Sequence, residues 1–337
     1  MHLGFRFIAS VGFVASSLVM IPCACRGGSK HSADPLNQQA TTTNSSVGAN
    51  DQGTAHPPGC PTFAHGRKIG QIENEELSEA SDLAASVKNP GVLWSHNDSG
   101  GRARLFALTS SGRDLGAYHL EGATLEDWED LAIGPGPVSG TSYLYVGDIG
   151  ANNQTRKRIS VYRVEEPPVA TDQKPKKRRL GPVSRFDFIY PDLMSRDAES
   201  LMIDPQKGDL YLVTKPRHGA PVVYRAKAPL DALRTKTLEQ VVTLSTIGGG
   251  PLMPTLVTSA DISRDGSMIL LRTYVHAYLW QRHPEESIDT ALSRPPCPVP
   301  LHAEPQGESI AFAPDGKGYY TVSEGNRPVI YFFERGD

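Results

Sequence analysis

Neither charge sign dominates this chain: 37 acidic residues face 34 basic ones over 337 positions. With a pI near 6.4, no global field gathers nucleic acid or an anionic membrane, so any charge-based function must be local. Long apolar runs are scarce too. The one candidate, Phe7 to Pro22, is shorter and more interrupted than a spanning helix requires. No Gly-x-Ser-x-Gly elbow, phosphate-cradling Gly-x-x-x-x-Gly-Lys loop or His-Glu-x-x-His zinc helix occurs, which sets aside the simplest hydrolase, nucleotide-switch and metalloprotease readings. No helical period persists over a useful length either, which argues against a helical architecture.

Cysteine is equally sparse, with four in the chain, two of them in the first 25 residues. Arg6, the apolar run and Cys23-Ala24-Cys25 together read as a secretory or lipoprotein signal over residues 1–25. Lipidation is expected at Cys25, which follows the small Ala24, or at Cys23, which follows Pro22. Residues 26–58 are Ser, Thr, Asn, Gln and Gly with almost no large apolar side chain. They cannot bury enough surface to fold and should act as a tether. The expected setting is the bacterial cell envelope or outside the cell, with membrane contact only through an N-terminal lipid. Cys60 and Cys297 remain, one near each end of the folded part, either pairing in an oxidising compartment or standing as separate thiols.

What the chain does hold is one pattern written five times over residues 59–337. Asp197 to Lys215 shows it: a short apolar arm after Glu199, the turn Pro205-Gln206-Lys207-Gly208-Asp209, and an aromatic, β-branched arm. Counted on Leu83, Leu131, Leu201, Ile262 and Ile310, the copies are spaced 48, 70, 61 and 48 residues apart, in the range of propeller blades. The second copy yields four strands, near 128–133, 143–148, 159–164 and 185–190. The last copy runs out after three, and Arg67 to Ile72 is placed to supply its missing outer strand. The fold expected is an all-β five-bladed propeller closed by an N-terminal strand. A six-bladed ring, with a degenerate blade in the long third interval, is the alternative. Lys174 to Arg179, a basic run, reads as a solvated loop or a contact for phosphate groups.

Hairpin geometry brings the start of each first arm and the end of each second arm to one face. First arms line a propeller's channel, so Ser81, Asp82, Glu129, Asp130, Glu199, Asp261 and Glu308 should ring its mouth. His96, Asp98, Asp148, Lys215, Arg217, Arg272, Tyr274 and Glu324 should sit just outside. Converging carboxylates must be protonated, paired with bases or bound to a cation. A ring of Ser, Glu and Asp oxygens suits a hard cation, calcium rather than zinc. Bonding of each acid to backbone at a blade junction is the structural alternative.

The column Ser81, Glu129, Glu199, Ala260, Glu308 resembles that of the calcium-activated nucleotidase (apyrase) family, five-bladed propellers whose channel calcium is held by serine and glutamate side chains, one per blade. Ala260 departs from that pattern, which has serine there. The stretches His96 to Gly101 and Gly147-Asp148-Ile149-Gly150 also resemble exported bacterial propellers grouped with phytase-like esterases. The resemblance implies calcium at Ser81, Glu129, Glu199 and Glu308 and hydrolysis of a small phosphate-bearing ligand. Lys215, Arg217, Arg272 and Tyr274 would then bind substrate, Asp98 or Asp148 act as general base, and His96 as general acid. The competing expectation is a monomeric, non-catalytic propeller holding a ligand or an envelope partner through His96 to Gly101, Tyr274, Tyr278 and Trp280, with Trp128 packing between blades.

Overall fold

Short β-branched and aromatic runs punctuated by glycine turns set the local structure. The structure, a computed structural model, describes residues 59–98, 101–152, 155–247 and 256–336. The expected signal segment 1–25 with Cys23 and Cys25, the tether 26–58, and residues 99 and 100 of the His96 to Gly101 stretch lie outside the described residues.

After β1 (Arg67–Gln71), the first blade runs through β2 (Ala80–Ala85), β3 (Val92–Asn97), β4 (Arg104–Thr109) and β5 (Asp114–Leu120). The second comprises β6 (Trp128–Pro135), β7 (Ser142–Asp148) and β8 (Ile159–Glu165), then, past β9 (Lys176–Leu180), β10 (Ser184–Ile189). The third has β11 (Ala198–Ile203), β12 (Leu210–Thr214) and β13 (Val222–Ala226) and, past the short β14 (Lys236–Thr237), β15 (Glu239–Thr243). The fourth is β16 (Val257–Ile262), β17 (Met268–Thr273), β18 (Ala277–Gln281), a short helix α1 (Ile288–Leu292) and β19 (Cys297–Val299). The fifth has β20 (Gly307–Phe312), β21 (Gly318–Ser323) and β22 (Val329–Glu334). Its fourth strand is β1, antiparallel to β22 with Arg67 opposite Phe332. The first strands β2, β6, β11, β16 and β20 neighbour one another in a closed ring. Five sheets account for every named strand, so the six-bladed alternative falls.

At the first turns, Gly266 and Gly316 adopt φ of +74° and +71°, a left-handed geometry that a side chain resists. The core is divided into five apolar clusters, each between successive blades. Trp94, Trp128 and Trp280 are all at most 2% exposed and anchor these layers.

Two parts of the blades depart from expectation. The basic run is not a loop: Lys176 to Leu180 is β9, a fifth strand on the first blade, parallel to β5. The extra residues of the third interval likewise include β14, which pairs in parallel with β10 of the second blade. Cys60 and Cys297 form a disulfide with Cα atoms 5.6 Å apart. It ties the segment leading into β1 to β19, a covalent closure alongside the hydrogen-bonded one.

Candidate metal site at the channel mouth

Each first strand opens with a register break, where one residue is left out of the ladder with the second strand. The breaks fall between Ala80 and Asp82, Trp128 and Asp130, Ala198 and Ser200, Val257 and Ser259, and Gly307 and Ser309. A bulge leaves its extra residue unpaired and re-aims its side chain. The residues so freed are Ser81, Glu129, Glu199, Thr258 and Glu308. Thr258, not Ala260, is therefore the fourth-blade member of the column, and it brings a hydroxyl there as Ser81 does in the first blade.

All five are buried, at 1–5% exposure. The two hydroxyls behave alike: Ser81 Oγ donates to the Glu129 carbonyl at 2.7 Å and Thr258 Oγ1 to the Gly307 carbonyl at 3.2 Å. Each thus spends its proton on the next blade and keeps lone pairs free to accept a cation. The three glutamates differ in what offsets them. Glu129 Oε1 is buried without a hydrogen-bond partner among the described residues. Carboxylate oxygens of Asp98, Asp127 and Glu129 lie within 4.8 Å of one another, as do those of Glu129, Asp197 and Glu199. Lys215 Nζ stands 3.1 Å from Glu199 Oε2 and 2.9 Å from the Tyr274 hydroxyl. Burial raises the pKa of Glu308, and Lys215, Tyr274 and Gln306 offset part of that rise.

Lys215 is ion-paired with Glu199, while the carboxylates of Asp98, Asp127, Asp197 and Glu199 crowd around Glu129, an electrostatic balance short of positive charge. Burial raises Glu129, and Glu199, Asp98 and Asp127 push it further. Burial also drives Glu199 up to about 8, with Lys215 offsetting part of the effect. Asp98 rises to about 7 through burial and the charges of Asp127, Glu79 and Glu308. Burial opposes the Lys215 ammonium, but Glu199 and Glu308 hold its pKa above the ordinary lysine value. Gly150 presses on this cluster: a Cβ there would fall 2.0 Å from Glu129 Oε1 and 2.5 Å from Asp127 Oδ2.

The aspartates one position deeper do different work. Asp82 Oδ2 accepts from Leu131 N at 3.1 Å, Asp130 Oδ2 from Leu201 N at 2.5 Å, and Asp261 Oδ2 from Phe312 N at 2.8 Å. Each staples its blade to the next, and Ser259 Oγ adds a bond to Asp82 Oδ1 at 3.0 Å. Backbone bonding at blade junctions is thus the role of the aspartates, and the bulged glutamates are exempt from it.

Several expected roles change. His96 is fully buried, its ring edge-on to Trp128 with centroids 5.7 Å apart. Burial lowers its pKa to about 4, and a sealed neutral imidazole suits packing rather than acid catalysis. Asp148 is buried and accepts from Arg156 Nη1 at 2.9 Å and Asp127 N at 3.0 Å. Those bonds occupy it as an orienting group, which removes it as general base. Arg272 is also fully buried, donating from Nη1 to Glu304 Oε2 and the Ser309 carbonyl, both at 2.8 Å. It supports the ring beneath Gly307, whose missing Cβ would lie 1.8 Å from Nη2, and is closed to substrate. Trp280 is core, its Nε1 bonded to the Arg294 carbonyl at 2.8 Å, so it offers no contact surface. Arg217 is exposed, with Nη2 on the Asn152 carbonyl at 3.1 Å. Asp98, Lys215 and Tyr274 do gather at the mouth.

Asp127 and Asp197 are site residues the motif reading missed. Both stand two positions before the bulged glutamate, as Glu79 stands before Ser81. That acidic column is present in the sequence once the copies are aligned on the bulge.

No protein-family model matches the chain, and no curated protein matches it. Among solved structures, Raptor from Chaetomium thermophilum is similar with a TM-score of 0.41 and 9% identity. The match covers 82% of this chain and 29% of that one.

Proposed function

We propose that the channel mouth binds one calcium ion through Ser81, Glu129, Glu199, Thr258 and Glu308, and that this centre hydrolyses a small phosphate ester or anhydride. The observation that carries the reading is Glu129 Oε1, a buried carboxylate oxygen with no hydrogen-bond partner among the described residues, amid Asp98, Asp127, Asp197 and Glu199. A divalent cation is the ligand that relieves such a cluster, and an all-oxygen donor set suits calcium. When bound, the ion would polarise a phosphoryl oxygen and acidify water.

The protein's own groups supply the rest. Lys215 and Tyr274 lie beside Glu199 and Glu308 and orient an anionic substrate over the ring. Asp98, whose Oδ1 has no hydrogen-bond partner among the described residues and whose pKa is raised to about 7, is matched to take a proton from attacking water near neutrality. Arg217 sits at the exposed rim for the outer part of the ligand. The signal-like N-terminal sequence supports a reading of export with a lipid anchor and of a reaction in the cell envelope.

A panel of nucleoside di- and triphosphates, sugar phosphates and phytate, assayed with calcium or chelator, tests the reading. Calcium-dependent phosphate release that disappears in Glu199→Gln is the expected result. Tight binding of a panel member without turnover would favour a non-catalytic binding propeller.

A further inference from the structure

The strand made by the basic run carries a second arrangement, on the outer edge of the first blade. Gly116 lets it dock, since a Cβ there would lie 2.1 Å from the Lys176 carbonyl oxygen. The register then places Arg179 beside His119 on β5, and His119 beside Arg104 on β4. These three form one row across three strands, with neighbouring strands roughly 4.8 Å apart. Lys177, two residues before Arg179, shares its face. Arg102 leads into β4.

The row borders two adjoining concavities. One, of about 530 Å³, is lined by Arg102, Arg104, His119 and Lys177 together with Glu76. The other, of about 280 Å³, is lined by Arg102, His119 and Arg179 together with Glu121. Glu76 is bonded to Arg104 and lies 3.7 Å from Lys177, and Glu121 lies 3.9 Å from Arg179. Four fixed cations thus face two carboxylates. His119 makes no hydrogen bond among the described residues, and its pKa is lowered by burial and by Arg104, Arg102, Arg179 and Lys177. The field that suppresses the imidazolium also attracts an oxyanion. A solubilising edge strand would need only exposed lysines, not arginines aligned on a histidine across three strands.

We propose that this row is an oxyanion site for a ligand bearing two or more phosphate groups, with Arg104 and Arg179 engaging separate groups and His119 donating between them. It lies on β4, β5 and β9, apart from the first strands that form the channel mouth. The proposal stands whether or not the mouth is catalytic.

The test follows the His119 ring by NMR in the full chain, with chelator present to keep the channel inert, while pyrophosphate is added. Bound phosphate should raise the His119 pKa by about 1–3 units, as an opposite charge within a few ångströms does. Binding should tighten as pH falls through that raised value. Arg104→Ala and Arg179→Ala should each weaken binding about tenfold or more, as loss of a charge-assisted bond does. The paired change Lys176→Ala with Arg178→Ala, on the opposite strand face, should leave it within about twofold. Vesicles containing cardiolipin, whose headgroup carries two phosphate groups, form the second arm. Binding to them alone, with the same dependence on Arg104 and Arg179, would identify the phosphate as a lipid headgroup and uphold the site. Absence of binding in both arms, or equal losses from the two pairs of changes, would overturn it.

Discussion

Glu129→Gln should raise the melting temperature of the metal-free protein and abolish its response to calcium. The substitution keeps the shape of the side chain but removes one charge from a buried cluster containing Asp98, Asp127, Asp197 and Glu199. Those neighbours raise the Glu129 pKa by repulsion on top of burial, so the metal-free fold gains when the charge is gone. In the parent protein, calcium at about 100 times its dissociation constant adds roughly 2.7 kcal/mol by mass action. The variant forfeits that gain because a ring ligand is lost. Asp130→Asn, one residue deeper, should behave in the opposite way. It weakens the staple to Leu201 N and lowers stability by about 1–3 kcal/mol, while calcium still shifts the melt. Thermal melts of both variants, stripped and calcium-loaded, read the contrast. Equal behaviour of the two would show that the bulge does not separate function from structure.

The largest loss of stability is expected far from the mouth, at the turn end of the third and fourth blades. There Arg282 donates from Nη1 and Nη2 to the two carboxylate oxygens of Asp204, both at 3.1 Å, and both side chains are 1% exposed. Asp204→Ala leaves the guanidinium buried without its counter-charge and should cost about 3–5 kcal/mol. The double change Asp204→Leu with Arg282→Met removes both charges and should recover most of that loss, since a buried pair often contributes little net stability against apolar replacements. Denaturant unfolding of the single and double variants gives the coupling. A single-variant cost below about 1 kcal/mol would mean that water reaches the pair.

How much of this was legible from sequence follows from how local each feature is. The hairpin of β6 and β7 is written in adjacent residues, and its alternation specifies which side chains face the core. The closing role of β1 followed from a missing strand at one end and a spare one at the other. The register of the fourth blade was not legible in the same way. Its apolar anchor is only Ala260, so counting on large side chains settles on Ile262, two residues along. A two-residue slip keeps the same face and leaves no conflict in the pattern. The structure restores the column through the bulge at Thr258. Parallel pairing of β9 with β5 is non-local and has no turn to announce it, so a basic strand read as a loop. His96, Asp148 and Arg272 carry the chemistry of catalysis in their side chains, but burial and partners decided their roles. Those are properties of the packed ring rather than of the motif.

The most direct measurement is calorimetric titration of calcium into the metal-stripped full chain between pH 6 and 8. Binding must displace protons from carboxylates held near neutrality, Glu199 at about 8 and Asp98 at about 7. Affinity should therefore weaken as pH falls through that range, with protons released on binding. The account predicts one calcium per chain, tightening from pH 6 to pH 8 and lost in Glu129→Gln. Absence of heat and of proton release across the whole range would contradict it, and would mean that Lys215 and bound protons alone satisfy the ring.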